Sequence, residues 1–177
     1  MRADDPPAAA VMTELAVSFS PQTDADLPAI ERLTEHAFGP GRFAKTAYRL
    51  REGLPADNSL SFVARVGTIL VGANRMTPIR IGDAPALLLG PLVVEPAFRQ
   101  HGVGEKLVNQ SLEAARAAGH GLVILVGDPG YYGRMGFRRA PDGQMTMPGP
   151  VDPDRLLYCE LVDGALASVA GRIWRVD

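Results

Sequence analysis

The stretch VVEPAFRQHGVGEKL, residues 93–107, gathers the residue types that could hold an anion. An apolar run ends at Pro96, Arg99 follows in a short loop, and Gly102 and Gly104 stand two apart at the mouth of a helical pattern. The first N–H groups of a helix lack intrahelical partners and carry partial positive charge. Glycines there let a phosphate approach the backbone, and an arginine adds full charge. Alone, the motif also fits a glycine-rich turn with no ligand. The dinucleotide fingerprint is excluded, because the third glycine it needs is Leu107 here. The P-loop is excluded as well, because Gly104 is followed by Glu105, Lys106 and Leu107. Downstream, YYGRMGF (131–137) sets two phenols beside a glycine and a phenylalanine. His36, His101 and His120 are scattered, Cys159 is the single cysteine, and no spacing resembles a metal site.

The elements that must position these residues follow from period and punctuation. LAVSFS (15–20) reads as a strand, and residues 23–38 as a helix with Leu27, Ile30, Leu33 and Ala37 at helical spacing. Pro28 fits only its first turn, and GPG at 39–41 ends it. Residues 42–53 predict a second short helix with Phe43, Ala47 and Leu50 inward. Strands at 59–66, 68–81 and 86–94 meet at Gly67 and at the GDAP turn, which makes an antiparallel meander. Residues 104–118 predict a helix with Leu107, Val108, Ser111, Leu112 and Ala115 on one face and Gly119 as its stop. LVILV (122–126) has the continuous apolar character of a strand covered on both faces. Strand, helix and strand make a parallel βαβ crossover. FRRA and RLLYCELV (155–162) predict a final hairpin around a Pro/Gly loop, and the tail from Gly164 is ambiguous. The expected fold is therefore a mixed α/β sheet, antiparallel in its N-terminal strands, with a central βαβ unit.

Composition narrows the partners. Of 177 residues 46 % are hydrophobic, enough to fill one domain's core, expected over residues 12–177. The net charge of −2 argues against a nucleic-acid binder. There is no apolar run of membrane-spanning length, and MRADDPPAAAV is no signal peptide, so a cytoplasmic protein with a disordered tail at 1–11 is expected. An exposed final hairpin and tail would allow strand or helix exchange in a homodimer.

R-x-x-G-x-G after a strand ending in Val-x-Pro resembles the acetyl-CoA loop of the GNAT superfamily of N-acetyltransferases. Arg99, Gly102 and Gly104 match it position by position, and Tyr132, Gly136 and Phe137 match the family's downstream Tyr-x-x-x-Gly-Phe block. The resemblance extends over roughly residues 13–162 and is nearest to a bacterial subgroup whose acceptors are mostly unassigned. It implies that strand 92–94 splays from strand 123–126 and that the pantetheine arm of acetyl-CoA pairs there with the backbone of Leu92, Val93 and Val94. It implies a pyrophosphate cradle from Arg99, Gln100, His101, Gly102, Val103 and Gly104, and an oxyanion donor in the Val94 N–H. Tyr132 becomes the general acid for the departing thiolate, with Tyr131 as fallback. Glu95 is a base candidate at the strand end, beside a water relay or an amine that arrives neutral. The implied activity is acetyl transfer, without a metal, to the primary amine of an unidentified small molecule or peptide. A different acyl donor, and a GNAT-fold sensor of acyl-CoA without turnover, are the alternatives. The basic cluster Arg42, Lys45, Arg49 and Arg51 would either admit an acidic acceptor or form a solvated face.

Overall fold

The computed structural model describes residues 16–176; the tail assigned to 1–11 lies outside them. The edge strand β1 (Val17–Pro21) leads to α1 (Leu27–Phe38). Asp26 fixes the entry to α1, since its Oδ2 accepts from both the N–H (2.8 Å) and the hydroxyl (3.0 Å) of Thr23. Pro28 lies in the first turn, Ile30, Leu33 and Thr34 are buried, and Gly39 stops the helix at φ +63°.

The helix expected at 42–53 is broken. A 3-10 turn at Pro40–Ala44 is separated from α2 (Thr46–Arg51) by Lys45, which is extended with ψ 133°. The Thr46 hydroxyl donates to the Pro150 carbonyl at 2.7 Å, so a contact with a distant loop fixes where α2 begins. Leu50 is buried as expected.

The meander is present as β2 (Phe62–Val66), β3 (Ile69–Ile81) and β4 (Ala84–Val94), turned at Gly67 and Gly82 with φ near +58° and +56°. The crossover follows as α3 (Val103–Ala117) and β5 (Leu122–Val126), with β5 parallel to β4. On β5, Val123 and Leu125 pack on the α3 side with Leu87, Val108, Leu112 and Leu157. Leu122 and Ile124 pack on the other face with Leu50, Ile79, Leu88 and Ile173. The apolar run therefore serves two cores at once.

After α4 (Pro129–Tyr132), β6 (Arg138–Arg139) pairs antiparallel with β8 (Leu156–Glu160), as the hairpin reading required. The loop between them is not plain. Its β7 (Met145–Thr146) pairs with β9 (Gly171–Arg175), and β9 joins β3 through Ile79↔Arg175 and Ile81↔Ile173. The ambiguous tail is thus a strand of the chain's own sheet, with Ile173 inward and the Trp174 indole donating to the Gly82 carbonyl at 2.8 Å. No helix among the described residues is long and apolar enough to cross a membrane.

Candidate active site

The site begins at an irregularity in β4. Asn74 faces Leu92 but Met76 faces Leu89, so one extra residue is inserted in β4 at Gly90–Pro91. Proline cannot donate to a ladder, and a bulge bends its strand. On its other edge β4 pairs with β5 only at Leu87↔Val123 and Leu88↔Ile124. Beyond those pairs the two strands part, as expected.

The ladder decides which amides face the gap. The Glu95 N–H donates to the Val71 carbonyl at 2.8 Å. Antiparallel pairs alternate in hydrogen bonding, so the Val93/Ala73 pair is hydrogen-bonded and the Leu92/Asn74 and Val94/Gly72 pairs are not. The main-chain groups of Leu92 and Val94 therefore point away from β3, toward the opening. The Val94 carbonyl fits this, since it accepts from Arg99 Nε at 3.1 Å. Val93 differs from the expectation: its main-chain groups are spent on β3, and its buried side chain packs with Ile30 and Leu33.

The two loop glycines are there for different reasons. Gly102 follows the 3-10 turn Pro96–His101 with φ +69°, and a Cβ there would meet nothing within 4 Å. Gly104 lies inside α3, and a Cβ there would stand 2.4 Å from Tyr131 Oη and 3.6 Å from both Leu92 Cδ2 and Val94 Cγ2. Gly102 supplies a left-handed turn; Gly104 supplies clearance at the opening. Gln100 and His101 are exposed and Val103 is buried. Arg138 and Arg139 are engaged by Glu160, Asp142 and Asp154, while Arg134 sits over the Tyr131 ring at 5.1 Å.

Across the gap stand the tyrosines, in a cavity of about 850 Å³ that Leu92 and Arg99 also line. Asp128 caps α4, its Oδ1 accepting from the Gly130 N–H at 2.7 Å, and so sets the start of the Tyr131–Tyr132 turn. The two rings meet edge to face at 4.9 Å, and the Tyr132 ring packs so close to Gly127 that a Cβ there would stand 2.4 Å from its Cε2. Burial, then Tyr131, pushes the Tyr132 phenol up to about 12, against the opposing pull of Arg51 and Arg155. Glu95 is not brought here. It lies on a separate depression with Asp26, His36 and Arg65, because alternation along the strand puts its side chain on the α1 face with Val93, opposite to Leu92 and Val94. The carboxylates that do line the cavity are Asp128 and Asp152. What sequence reasoning missed is Arg155 and, behind the bulge, Arg75; their signal was tertiary, whereas Arg51 and Lys45 already stood in the flagged basic cluster.

Comparison with known proteins agrees with this geometry. A GNAT acetyltransferase domain model matches residues 57–139. The uncharacterized N-acetyltransferase YjhQ of Escherichia coli K12 is 31 % identical over 163 residues, covering 88 % of each chain. The uncharacterized N-acetyltransferase YhbS of the same organism is 27 % identical over 150 residues, covering 84 % of this chain and 89 % of that protein. The crystal structure of YhbS with CoA has the same fold, with TM-score 0.78 at 24 % identity over 99 % of this chain and 94 % of that one. A GNAT acetyltransferase from Brucella melitensis, crystallised with acetyl-CoA, is 28 % identical with TM-score 0.60, covering 85 % of this chain and 98 % of its own. Splayed strands, glycine loop, Tyr-x-x-x-Gly-Phe block and these relatives converge: the chain belongs to the GNAT family of N-acetyltransferases and is an acyltransferase.

Proposed function

We propose that this chain transfers an acetyl group from acetyl-CoA to a primary amine, residues 12–177 acting as one domain. The observation that carries the reading is the main-chain edge of Leu92 and the Val94 N–H, turned away from β3 into the opening between β4 and β5 and flanked by the glycine loop and Tyr132. Acetyl-CoA fits it on two counts. An extended pantetheine arm matches an unpaired strand edge, and Gly104 keeps clear the space that a Cβ would fill between Leu92, Val94 and Tyr131.

The bound donor supplies the thioester; the chain supplies position and protons. The Leu92 and Val94 amides orient the arm, with the Val94 N–H polarising the carbonyl as charge develops on its oxygen. The unsatisfied N–H groups at the start of α3 face the pyrophosphate, with Arg99 beside them. Tyr132 Oη–H gives its proton to the departing sulfur. A phenol held up to about 12 is fully protonated at neutral pH. The thiol it forms lies near pKa 8.5, below the phenol, so the transfer goes to completion as the tyrosinate takes back, through solvent, the proton that the attacking amine releases.

Calorimetry with acetyl-CoA followed by a thiol-release assay over an amine panel tests this. Binding with amine-dependent thiol release is the expected result. Binding without release would favour a sensor, and failure to bind any CoA ester would remove the reading.

A further inference from the structure

The cavity has a second end, opposite the glycine loop, and its charge is unbalanced. Arg51, in the last turn of α2, lays its guanidinium on the β4 bulge, with Nη1 3.1 Å from where a Gly90 Cβ would stand. The charged and phenolic groups that act on it are Arg75, Tyr48 and Tyr132, and no carboxylate is among them. Desolvation, then Arg75, brings Arg51 down to about 10, so it stays protonated at neutral pH. Arg75 is itself pushed down by burial, and its Nε is buried without a hydrogen-bond partner. Glu31 pulls on Arg75, but no carboxylate acts on Arg51, so Arg51 is a desolvated cation facing another cation, which is unfavourable unless an anion joins it.

The rest of the lining is cationic in excess. Lys45 and Arg155 face the cavity; Lys45 Nζ lies 5.4 Å from the Phe38 ring centroid, and Arg155 Nε donates to the Gly127 carbonyl at 3.4 Å. Neither forms a salt bridge among the described residues. The two lining carboxylates are occupied as caps, Asp128 by the Gly130 N–H at 2.7 Å and Asp152 by the Asp154 N–H at 3.0 Å. Arg42 is balanced by Glu31 at 2.9 Å.

We propose that the acceptor carries an oxyanionic group, a carboxylate or a phosphate, seated on Arg51 with Lys45 and Arg155 around it, so that its amine points to Tyr132. This deepens the acetyl-transfer reading and rests on it. Arg51, Arg155 and Tyr132 line the same cavity, so the anion seat and the proton donor share it. The field has a second effect. Cations near an amine disfavour its ammonium form, so the cationic excess that the seated anion leaves uncompensated favours the neutral amine that attack requires.

The test uses the full chain. Thermal unfolding is followed with sodium sulfate, phosphate or malonate against chloride at equal ionic strength, with and without saturating CoA. An oxyanion-specific rise in Tm that persists with CoA and is absent in Arg51→Gln is expected. An equal rise in Arg51→Gln, a rise abolished by CoA, or no specific rise would overturn the proposal. Thiol release with matched acceptors then separates the sources: β-alanine against its amide, and O-phosphoethanolamine against ethanolamine. One charged hydrogen-bonded partner predicts kcat/KM about 10- to 100-fold higher for the anionic member. Arg51→Gln should erase that ratio and leave KM for acetyl-CoA unchanged. Preference for the neutral members would refute the seat while leaving acetyl transfer intact; failure of acetyl-CoA to bind would refute acetyl transfer, whatever the anions do.

Discussion

Replacing Gly102 and Gly104 by alanine, one at a time, should produce opposite phenotypes from two glycines in one motif. At Gly102 the backbone is left-handed, φ +69°, with open space around a Cβ. A left-handed alanine costs about 1–2 kcal/mol, and the stiffer unfolded chain returns about 0.4–1 kcal/mol. The net loss of about 1 kcal/mol lowers Tm by about 2–4 °C in a chain this long. At Gly104 the balance differs. The position is helical, where alanine gains about 1 kcal/mol over glycine. The new methyl must push Tyr131 Oη away from 2.4 Å, which disturbs the edge-to-face contact with Tyr132, worth about 0.5–1.5 kcal/mol. Stability therefore stays within about 1 kcal/mol of the parent. Binding does not, because the methyl stands 3.6 Å from both Leu92 Cδ2 and Val94 Cγ2, at the opening. Losing one or two main-chain hydrogen bonds of about 1 kcal/mol each weakens acetyl-CoA roughly 5- to 30-fold. Calorimetry with acetyl-CoA and a thermal melt on each variant read both effects. A Gly104→Ala protein that binds acetyl-CoA as tightly as the parent would refute the clearance argument, and an unchanged Tm in Gly102→Ala would refute the conformational one.

Tyr132→Phe should lower kcat by about 100-fold or more with KM for acetyl-CoA nearly unchanged, and Tyr131→Phe should cost less; the reverse order would transfer the acid role. Because burial holds Tyr132 at about 12, its acid form persists through the working range. The rate should show no alkaline fall traceable to it below about pH 10, and a fall near there that disappears in Tyr132→Phe would show an acid that burial has not raised. For stability the same shift has a stated sign: the unfolded phenol ionises near 10 and the folded one near 12, so stability is lost as pH rises between them. Arg51→Gln, which relieves unpaired charge facing Arg75, should raise Tm in chloride by about 2–4 °C, the equivalent of about 1 kcal/mol; a lower Tm would mean that the guanidinium is structurally paired. Leu157→Ala empties a fully buried position between β5 and β6 and should cost about 2–5 kcal/mol in a denaturant melt.

What the sequence made legible was local. The face of α3, its stop at Gly119 and the two-sided apolar run of β5 follow from period and punctuation, and the structure repeats them. Gly102, Gly104 and Tyr132 were visible because each motif is contiguous. The break at Lys45 was not, since the Thr46 contact that fixes it comes from Pro150, 104 residues later. Strand β9 escaped because one inward side chain, Ile173, carries its pattern and its partner β3 is remote. The bulge had a signal in Gly90–Pro91, for a proline inside a strand calls for a bulge or an edge. Glu95 looked promising on the chain, but alternation puts its side chain with Val93 on the α1 face, in a depression apart from the cavity. Arg51, Arg75 and Arg155 sit on three elements far apart in sequence, so only the topology brings their charges together.

The two-position pairing of β4 with β5 also divides the sheet into two panels. Strands β1 to β4 with β7 and β9 form one panel, β5, β8 and β6 another, and among the described residues Leu87↔Val123 and Leu88↔Ile124 are the only ladder rungs between the panels. A ligand that hydrogen-bonds along the free rim of β4 would act as a suture, locking the panels and shielding their amides from exchange. Occupancy would then be readable as slowed hydrogen exchange at Leu92 and Val94, far in advance of any turnover. A molecule that filled the cavity without lying along that rim would leave those two amides as open as before.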